Sequence, residues 1–274
     1  MSFDPKPGRY YRMPIFFGPT PGPREWPEGL ECDFAGKPKR TVIGVKFLSD
    51  AAQLEALIPS CFKLWGEPVV TVEAHYVTEI EWLAGRGYDM CDVKFDVVFQ
   101  GDGEPVHGTL VLVRFENLTD PILSGREEIG HNKLFCAIPP MRVLDGRHRT
   151  ELSWLDHPFI KIEAGDFVED DGPRAPADQP NQGMLSYKYI PKTGVWGEAD
   201  VEYATLTPPA PNVTTTKRLK GTGKVEFVRS TWADLPTLHT LVNAFADLEV
   251  KEWRGAHLLV QEGGHSGANT RRLY

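Results

Sequence analysis

The sequence predicts a mainly β fold of the α+β class, in which an antiparallel sheet curls and closes into a β-barrel or cone with a few peripheral helices. Short runs rich in β-branched residues recur from residue 41 onward. Turns such as 101–103 and 181–183, which combine glycine with aspartate or asparagine, punctuate these runs. Two other segments have helical spacing. Many short strands with few helices are typical of sheets that close on themselves.

The element order follows from these patterns. The first strand is predicted at 41–48, and it is followed by a helix that Ser49 caps and Pro59 ends. A second helix is predicted at 233–248, with Pro236 in its first turn. Alternating runs predict the remaining strands: 70–77, 92–99, 108–115, 159–162, 184–190, 199–206 and 224–228.

Composition divides the chain into three parts. Residues 1–40 carry many prolines, which lack the donor that helices and sheets need, so they predict an extended arm over a surface. Residues 41–262 show no internal repeat and no break in composition, and we predict that they form a single domain. Residues 263–274 are predicted to be a flexible tail, and the acidic stretch 165–183 is predicted to be a solvated loop.

Composition and charge argue against several classes of protein. The chain has 274 residues, of which 41% are hydrophobic and 25% are charged, as in a typical globular protein. Its net charge of −8 argues against nucleic-acid binding, because that affinity comes mainly from basic residues on phosphates. The N-terminus has no signal-peptide pattern, and no apolar run approaches the ~18 residues of a membrane span. We therefore expect a cytoplasmic protein that does not bind membranes.

The common motifs for cofactors and metals do not occur. The sequence has no phosphate-binding glycine loop, no GxSxG elbow and no HExxH zinc motif. The four cysteines form no CxxC pair, and the eight histidines form no i, i+4 pair. We therefore expect no cofactor, no metal site and no redox-active cysteine pair.

The most informative stretch runs from Gly125 to Cys136, where a charged loop leads into an apolar run that starts at Lys133. One interpretation is a surface loop that enters a buried strand. The other interpretation is a reactive amine. Free lysine titrates near ~10.4, so only about 0.04% of it is neutral at pH 7. Burial that lowers this pKa by roughly 3–4 units makes lysine a nucleophile toward carbonyl groups.

The spacing in this stretch resembles the signature G-R-E-x-x-G-x-P-K of the acetoacetate decarboxylase family. Five residues match the signature in register: Gly125, Arg126, Glu127, Gly130 and Lys133. His131 stands at the variable position, and Asn132 replaces the proline. The resemblance, which extends over residues 40–262, implies that Lys133 forms a Schiff base with a keto acid and that the chain is a homo-oligomer.

The resemblance also implies roles for other residues. Arg40 aligns with a substrate-site arginine whose paired donors would hold a carboxylate; the alternative is a salt bridge at the rim. Glu73 aligns with a functional glutamate that would move protons during dehydration; the alternative is a pair with Arg40 or Arg126. His131 is a further acid–base candidate. Arg126 and Glu127 are expected to form an ion pair that locks the turn and aims the lysine.

Two departures from the family pattern favour a diverged activity. In the archetypal decarboxylase a second lysine follows the Schiff-base lysine, and Leu134 replaces it here. The family lowers the pKa of its lysine with an apolar pocket and a neighbouring cation, so we expect burial alone to do so in this chain. The family's second acidic residue aligns with Met90, and Asp89 and Asp92 lie close by, so the residue that takes this role stays open.

The lysine chemistry and the predicted fold together give three functional hypotheses. Its imine with a keto acid is an electron sink, so a bond next to the imine carbon can break. We expect a carbon–carbon lyase that acts on a keto acid, and we favour the aldolase-dehydratase type with an aldehyde co-substrate. Loss of carbon dioxide would instead make the protein a β-keto acid decarboxylase. A barrel with a polar mouth also describes a non-catalytic carrier of small ligands.

Overall fold

Fourteen strands of one sheet dominate the computed structural model, which describes residues 4–31, 38–172, 181–264 and 267–274. The strands are β1 (Lys39–Leu48), β2 (Phe62–Leu64), β3 (Val69–Ile80), β4 (Arg86–Phe99), β5 (Val106–Glu116), β6 (Lys133–Phe135), β7 (Arg142–Leu144), β8 (Arg147–Trp154), β9 (His157–Glu169), β10 (Met184–Pro191), β11 (Ala199–Thr207), β12 (Thr214–Phe227), β13 (Glu252–Glu262) and β14 (Arg271–Arg272). The helices are α1 (Ala51–Glu55), α2 (Thr119–Ser124) and α3 (His239–Ala246). A π-helical turn, Gly125–Ile129, continues α2, and 3₁₀ turns cover Ile15–Phe17 and Glu81–Leu83.

The strands form a linear path in the order β14–β11–β10–β5–β4–β3–β1–β13–β12–β9–β8–β7. In addition, β2 pairs with β4, and β6 pairs with β5. Neighbouring strands are antiparallel except that β10 and β6 run parallel to β5. The prediction of a mainly β fold with few helices is confirmed. Within the described residues no pairing joins the terminal strands β14 and β7, so closure into a barrel or cone stays a prediction.

Each predicted strand falls on an observed strand, but most observed strands are longer. Strand β9 extends to Glu169, because residues 165–169 pair with β12. The start of the predicted loop 165–183 is therefore a strand, and residues 173–180 of that loop lie outside the described residues. Pairing with a neighbour, which the periodicity of one strand does not reveal, sets these lengths.

Both predicted helices are shorter than expected. Asp50, rather than Ser49, caps α1, and its carboxylate accepts the backbone N–H of Ala52 at 2.9 Å. Ser49 is fully buried instead. Helix α3 covers only the second half of the predicted 233–248, because the residues before His239 form turns. None of the helices in the described ranges is long and apolar enough to cross a membrane.

A large hydrophobic core joins the sheet to α3 and includes residues from β1, β3, β4, β5 and β9. Phe115 of β5 and Phe159 of β9 contact each other in it, with ring centroids 5.1 Å apart. Leu273 belongs to the same core, and Arg271–Arg272 pair with β11. The prediction of a flexible tail is therefore wrong for the last residues of the chain. The division into arm and single domain stays a prediction.

The proline-rich arm lies against the turn that precedes β6. Arg24 of the arm forms an ion pair with Glu128 of the π-helical turn, and only 5% of the Arg24 side chain is exposed. Pro23 and Pro38 line the cavity described below. This part of the N-terminal segment thus covers part of the cavity.

Candidate active site

Lys133 is the first residue of β6, which lies parallel to β5. Its side chain is 6% exposed, and Nζ lies 2.8 Å from Oε1 of Glu116. Nζ also donates to the carbonyl oxygen of Pro121 at 2.9 Å. Burial lowers the pKa of Lys133, Glu116 raises it in part, and the Arg114 cation lowers it further; the net shift is downward.

Gly125 makes room for this lysine. A β-carbon there would lie 2.4 Å from Cε, 2.5 Å from Cδ and 2.7 Å from Nζ of Lys133, closer than van der Waals contact allows. Gly130 ends the π-helical turn with a φ of +80°, and a β-carbon there would lie 2.7 Å from Cβ of Lys188. The two glycines of the signature are therefore steric requirements of the lysine and of the loop that carries it.

Arg126 positions the lysine through the backbone. Its Nη1 donates to the carbonyl oxygen of Lys133 at 2.8 Å. The carbonyl oxygen of Glu127 accepts from Nζ of Lys188 at 2.5 Å. Among the described residues, Arg126 and Glu127 form no ion pair with each other, because the arginine turns toward β6. The predicted ion pair is wrong, although the arginine does hold the backbone that carries the lysine.

A cavity of about 420 Å³ opens in front of Lys133. Arg40 and His131 line it together with Lys133, so the structure brings three of the sequence-predicted residues to one place. Nε2 of His131 lies 3.0 Å from Oγ1 of Thr207, which also lines the cavity. This contact fixes the imidazole at the cavity wall.

Three arginines line the cavity, Arg24, Arg40 and Arg114. Nε of Arg40 is buried and has no hydrogen-bond partner in the described residues. Burial lowers the pKa of Arg40, and the Arg114 cation lowers it further. A buried donor without a partner is costly, and the carboxylate of a ligand would satisfy it. The position of Arg40 is therefore suited to binding an anion.

The sequence left three candidates for the family's second acidic role: Asp89, Met90 and Asp92. Of these, Asp92 brings a carboxylate to the cavity. Its oxygens accept from Arg114 at 2.6 and 2.7 Å in a bidentate pair. Burial raises the pKa of Asp92, but Arg114, His75 and Lys94 together lower it by more, so the net shift is downward. Met90 lines the cavity as an apolar residue, and Asp89 instead accepts from Nδ2 of Asn117 at 3.0 Å.

Glu73 is buried but is not among the residues that line the cavity. Its carboxylate pairs with Lys94, accepts from Nε2 of His257 at 2.7 Å and lies 3.2 Å from Nε2 of His75. Burial raises the pKa of Glu73, but Lys94 and the two histidines lower it by more. Neither predicted arginine partner is among these contacts. Since Lys94 and His75 do line the cavity, an effect of Glu73 on a substrate passes through them.

Glu116 is one of the site residues that sequence reasoning missed, together with Arg114. It ends β5 and is fully buried beside the amine of Lys133. In the register of the sheet, Glu116 lies opposite Met90 on the neighbouring strand β4, and Met90 aligns with the family's second acidic residue. The sequence does contain a signal, because Glu116 ends a mostly apolar strand where a carboxylate needs a partner.

Leu134 faces away from the cavity. Neighbouring residues of a strand point to opposite faces, and Leu134 packs against the hydrophobic core. A lysine at this position would also point away from the amine of Lys133. The expectation that burial acts alone on the lysine is wrong, since Arg114 supplies a nearby cation.

Part of the cavity wall is apolar. Val77, Ile80 and Met90 form a small buried cluster, and Trp82 and Tyr88 pack against it. All five residues line the cavity. The cavity therefore offers charged groups around the lysine and an apolar surface for another part of a ligand.

Glu73, His75 and Asp92 place one possible metal-ligand atom each within 4.8 Å of one another. Both carboxylates are already neutralised, Glu73 by Lys94 and Asp92 by Arg114. A divalent ion would have to compete with these two buried cations. We therefore assign no metal to this cluster, and the expectation that the protein needs none stays a prediction.

The sheet places the buried lysine at a cavity that charged groups line. The family model described as Acetoacetate decarboxylase (ADC) matches residues 12–261, and the chain belongs to this family. The resemblance predicted from the lysine motif is thus confirmed. A search of curated proteins gave no significant match.

Several solved structures share the fold at low sequence identity. Acetoacetate decarboxylase from Legionella pneumophila is 17% identical, with a TM-score of 0.64 over 90% of this chain and 92% of that chain. An acetoacetate decarboxylase-like enzyme from Sphingomonas wittichii RW1 is 14% identical, with a TM-score of 0.63 over 90% and 97%. The enduracididine biosynthesis enzyme MppR, complexed with the condensation product of pyruvate and imidazole 4-carboxaldehyde, is 15% identical, with a TM-score of 0.63 over 89% and 90%. At these identities the likeness establishes the fold.

Proposed function

We propose that this protein is a carbon–carbon lyase that forms a Schiff base between Lys133 and a keto acid. The observation that carries the proposal is the state of Lys133, whose amine is buried at a cavity and whose pKa is lowered. A larger fraction of this amine is then neutral at pH 7 and able to attack a carbonyl group. Membership of a family that contains enzymes supports the assignment.

The reaction begins when the neutral amine of Lys133 attacks the ketone carbon and gives a carbinolamine. Loss of water leaves a protonated imine, which withdraws electrons from the neighbouring carbon, so a bond at that carbon breaks heterolytically. Arg40, whose buried Nε has no partner in the described residues, binds the carboxylate of the keto acid. This contact holds the ketone carbon close to Nζ.

Charge around the cavity favours aldolase-dehydratase chemistry over decarboxylation. A carboxylate held by an arginine is stabilised before the reaction, and this stabilisation is lost when the group leaves as neutral carbon dioxide. In an aldol reaction the carboxylate stays in place. The apolar wall around Trp82 and Tyr88 provides a surface for an aldehyde as the second substrate.

Fold neighbours support this reaction class by analogy. MppR is complexed with pyruvate in one structure and with the condensation product of pyruvate and an aldehyde in another. Decarboxylation of a β-keto acid is the second candidate, because acetoacetate decarboxylases share the fold. A non-catalytic carrier of small ligands is the third. The homo-oligomeric state implied by the family is part of the proposal.

Pyruvate followed by borohydride is expected to add one reduced pyruvate to the native protein, and peptide mapping should place it on Lys133. Lys133→Ala is expected to gain no mass, because the nucleophile is gone. Lys161→Ala, which changes an exposed lysine, is a matched control that should be labelled as the native protein is. An unlabelled native protein would support the carrier, and an adduct on Lys94 or Lys188 would contradict the assignment of the nucleophile.

Product analysis separates the two lyase activities. With pyruvate and an aromatic aldehyde, an aldolase-dehydratase gives an α,β-unsaturated keto acid that is seen by its ultraviolet absorption. With acetoacetate, a decarboxylase releases carbon dioxide. Gas release without a condensation product would replace the first candidate with the second.

Replacing Arg40 with glutamine is expected to weaken keto-acid binding roughly 10- to 100-fold, because the free energy of a hydrogen bond to a charged group corresponds to an affinity change of this size. Adduct formation with acetone, which has no carboxylate, should persist. The check is the concentration dependence of borohydride trapping with pyruvate and with acetone. Equal losses for both ketones would show that Arg40 does not recognise the carboxylate.

A further inference from the structure

Glu116 and Lys133 form a buried pair at the edge of the cavity. Glu116 is 0% exposed and Lys133 is 5% exposed. Oε1 of Glu116 lies 2.8 Å from Nζ of Lys133. The second oxygen, Oε2, has no hydrogen-bond partner within the part of the chain that the structure describes. The carboxylate therefore has a free acceptor atom next to the atom that reacts.

The groups around the pair set its protonation. Four titratable or charged side chains interact with Glu116 besides the lysine: Arg114 on the same strand, Asp92 and Tyr88 on β4, and Cys136 after β6. Burial raises the pKa of Glu116, while Lys133 and Arg114 lower it in part; the net shift is upward. An acid shifted upward beside an amine shifted downward exchanges a proton with it at low cost.

We propose that Glu116 is a catalytic residue that takes a proton from Lys133 and returns it to the carbinolamine when water leaves. This inference rests on the proposed Schiff-base function and adds the proton carrier that the reaction needs. Glu116 is suited to the role because it contacts Nζ itself, to which the carbinolamine carbon becomes bonded.

The proton moves in a closed sequence. First, one proton passes from the ammonium of Lys133 to Glu116, which gives a neutral amine and a carboxylic acid. The nitrogen lone pair then bonds the ketone carbon, the carbonyl π pair moves to oxygen, and a nitrogen proton moves to that oxygen. Glu116 next protonates the hydroxyl, the C–O bond breaks and water leaves. The nitrogen lone pair forms the C=N bond, and the iminium stands beside the restored carboxylate.

A fixed counter-ion would behave differently from a proton carrier. As a counter-ion, Glu116 only stabilises the ammonium and so raises the pKa of Lys133. Its removal would move the acid side of the pH profile to lower pH and leave the maximal rate unchanged. As a proton carrier, its removal also lowers the maximal rate, because dehydration loses its acid. The two roles are therefore separable by one pH profile.

The experiment measures the rate of imine formation with pyruvate from pH 5 to pH 9, with samples quenched by borohydride and weighed. Glu116→Gln is expected to lower the maximal rate about 100-fold, the usual scale of acid–base catalysis. Its acid limb should lie at lower pH than in the native protein. Glu116→Asp, which keeps an acid one methylene further away, should recover part of the rate. Glu226→Gln, at an exposed position, should leave the profile unchanged.

A maximal rate within threefold of the native rate in Glu116→Gln would overturn the proposal, whether or not the acid limb moves. Thermal unfolding identifies a variant that fails to fold. If Glu116→Gln does not fold, Glu116→Asp decides, because an unchanged maximal rate there would contradict direct proton transfer. If the native protein forms no adduct at any pH, the Schiff-base function itself fails. If only the proton-carrier proposal fails, the native protein still forms the adduct, and replacing Glu116 leaves the maximal rate of its formation unchanged.

Discussion

Replacing Gly125 with alanine is expected to slow adduct formation at Lys133 about 100-fold, because a displacement of about 1 Å in a reacting group has effects of this size. The new β-carbon would lie 2.4 Å from Cε and 2.7 Å from Nζ of Lys133. Since the atoms that clash belong to the flexible end of a side chain, the lysine gives way and the fold persists. We expect a loss of stability at or below the lower end of the ~1–3 kcal/mol range for overpacking.

Borohydride trapping and urea unfolding, measured on the same Gly125→Ala sample, separate the two effects. Gly103→Ala is the matched control, because no atom lies within 4 Å of the β-carbon that it would gain. The control should be labelled at the native rate. Native labelling of Gly125→Ala would contradict the position of the lysine side chain.

Replacing Asp92 with asparagine is expected to cause a large loss of folding stability, because it leaves the Arg114 cation without its bidentate partner. Asp92 is 1% exposed, and both of its oxygens bind the guanidinium. Removing one member of a buried ion pair costs about 3–5 kcal/mol. Urea unfolding at pH 7 should show this loss, whereas Glu226→Gln, which removes an exposed partner of Lys161, should leave the midpoint nearly unchanged.

The stabilisation that the Asp92–Arg114 ion pair gives to the folded protein depends on pH in a definite direction. The folded-state pKa of Asp92 lies below its ordinary value of 3.8, because Arg114, His75 and Lys94 together outweigh the effect of burial. The stabilisation is therefore present above that value and is lost as the pH falls through the folded-state pKa. The difference in stability between the native protein and Asp92→Asn should shrink in acid. A difference that grows in acid would show that the pair is not ionised in the folded protein.

The sequence predicted the strands better than their pairing. Alternation and β-branched runs located the strands correctly because they record which face of each strand is buried. They did not reveal that residues 165–169 pair with β12, or that Arg271–Arg272 pair with β11. Those contacts depend on residues distant in sequence. The cap of α1 was misplaced by one residue, since Ser49 and Asp50 are both good capping residues and only the backbone geometry separates them.

The site was predictable where a short motif carries it. Lys133 and the glycines around it follow from local spacing, and the structure gives each glycine a steric reason. Glu116 and Arg114 were missed because β6 runs parallel to β5, and nothing in a local pattern predicts that register. Glu73 aligned with a family residue, yet it does not line the cavity itself and instead contacts Lys94 and two histidines.

Titration of the individual lysine amines examines the buried nucleophile without any substrate. Trace acetic anhydride, applied across a pH series and read by mass spectrometry of each lysine peptide, gives the titration midpoint of every amine. Lys133 should titrate below the ordinary lysine value of 10.5, because burial disfavours its charged form. Lys94 is the internal reference and should titrate above 10.5, because Glu73 and Asp92 together outweigh the effect of burial there. A midpoint for Lys133 at or above 10.5 would contradict the proposed nucleophile.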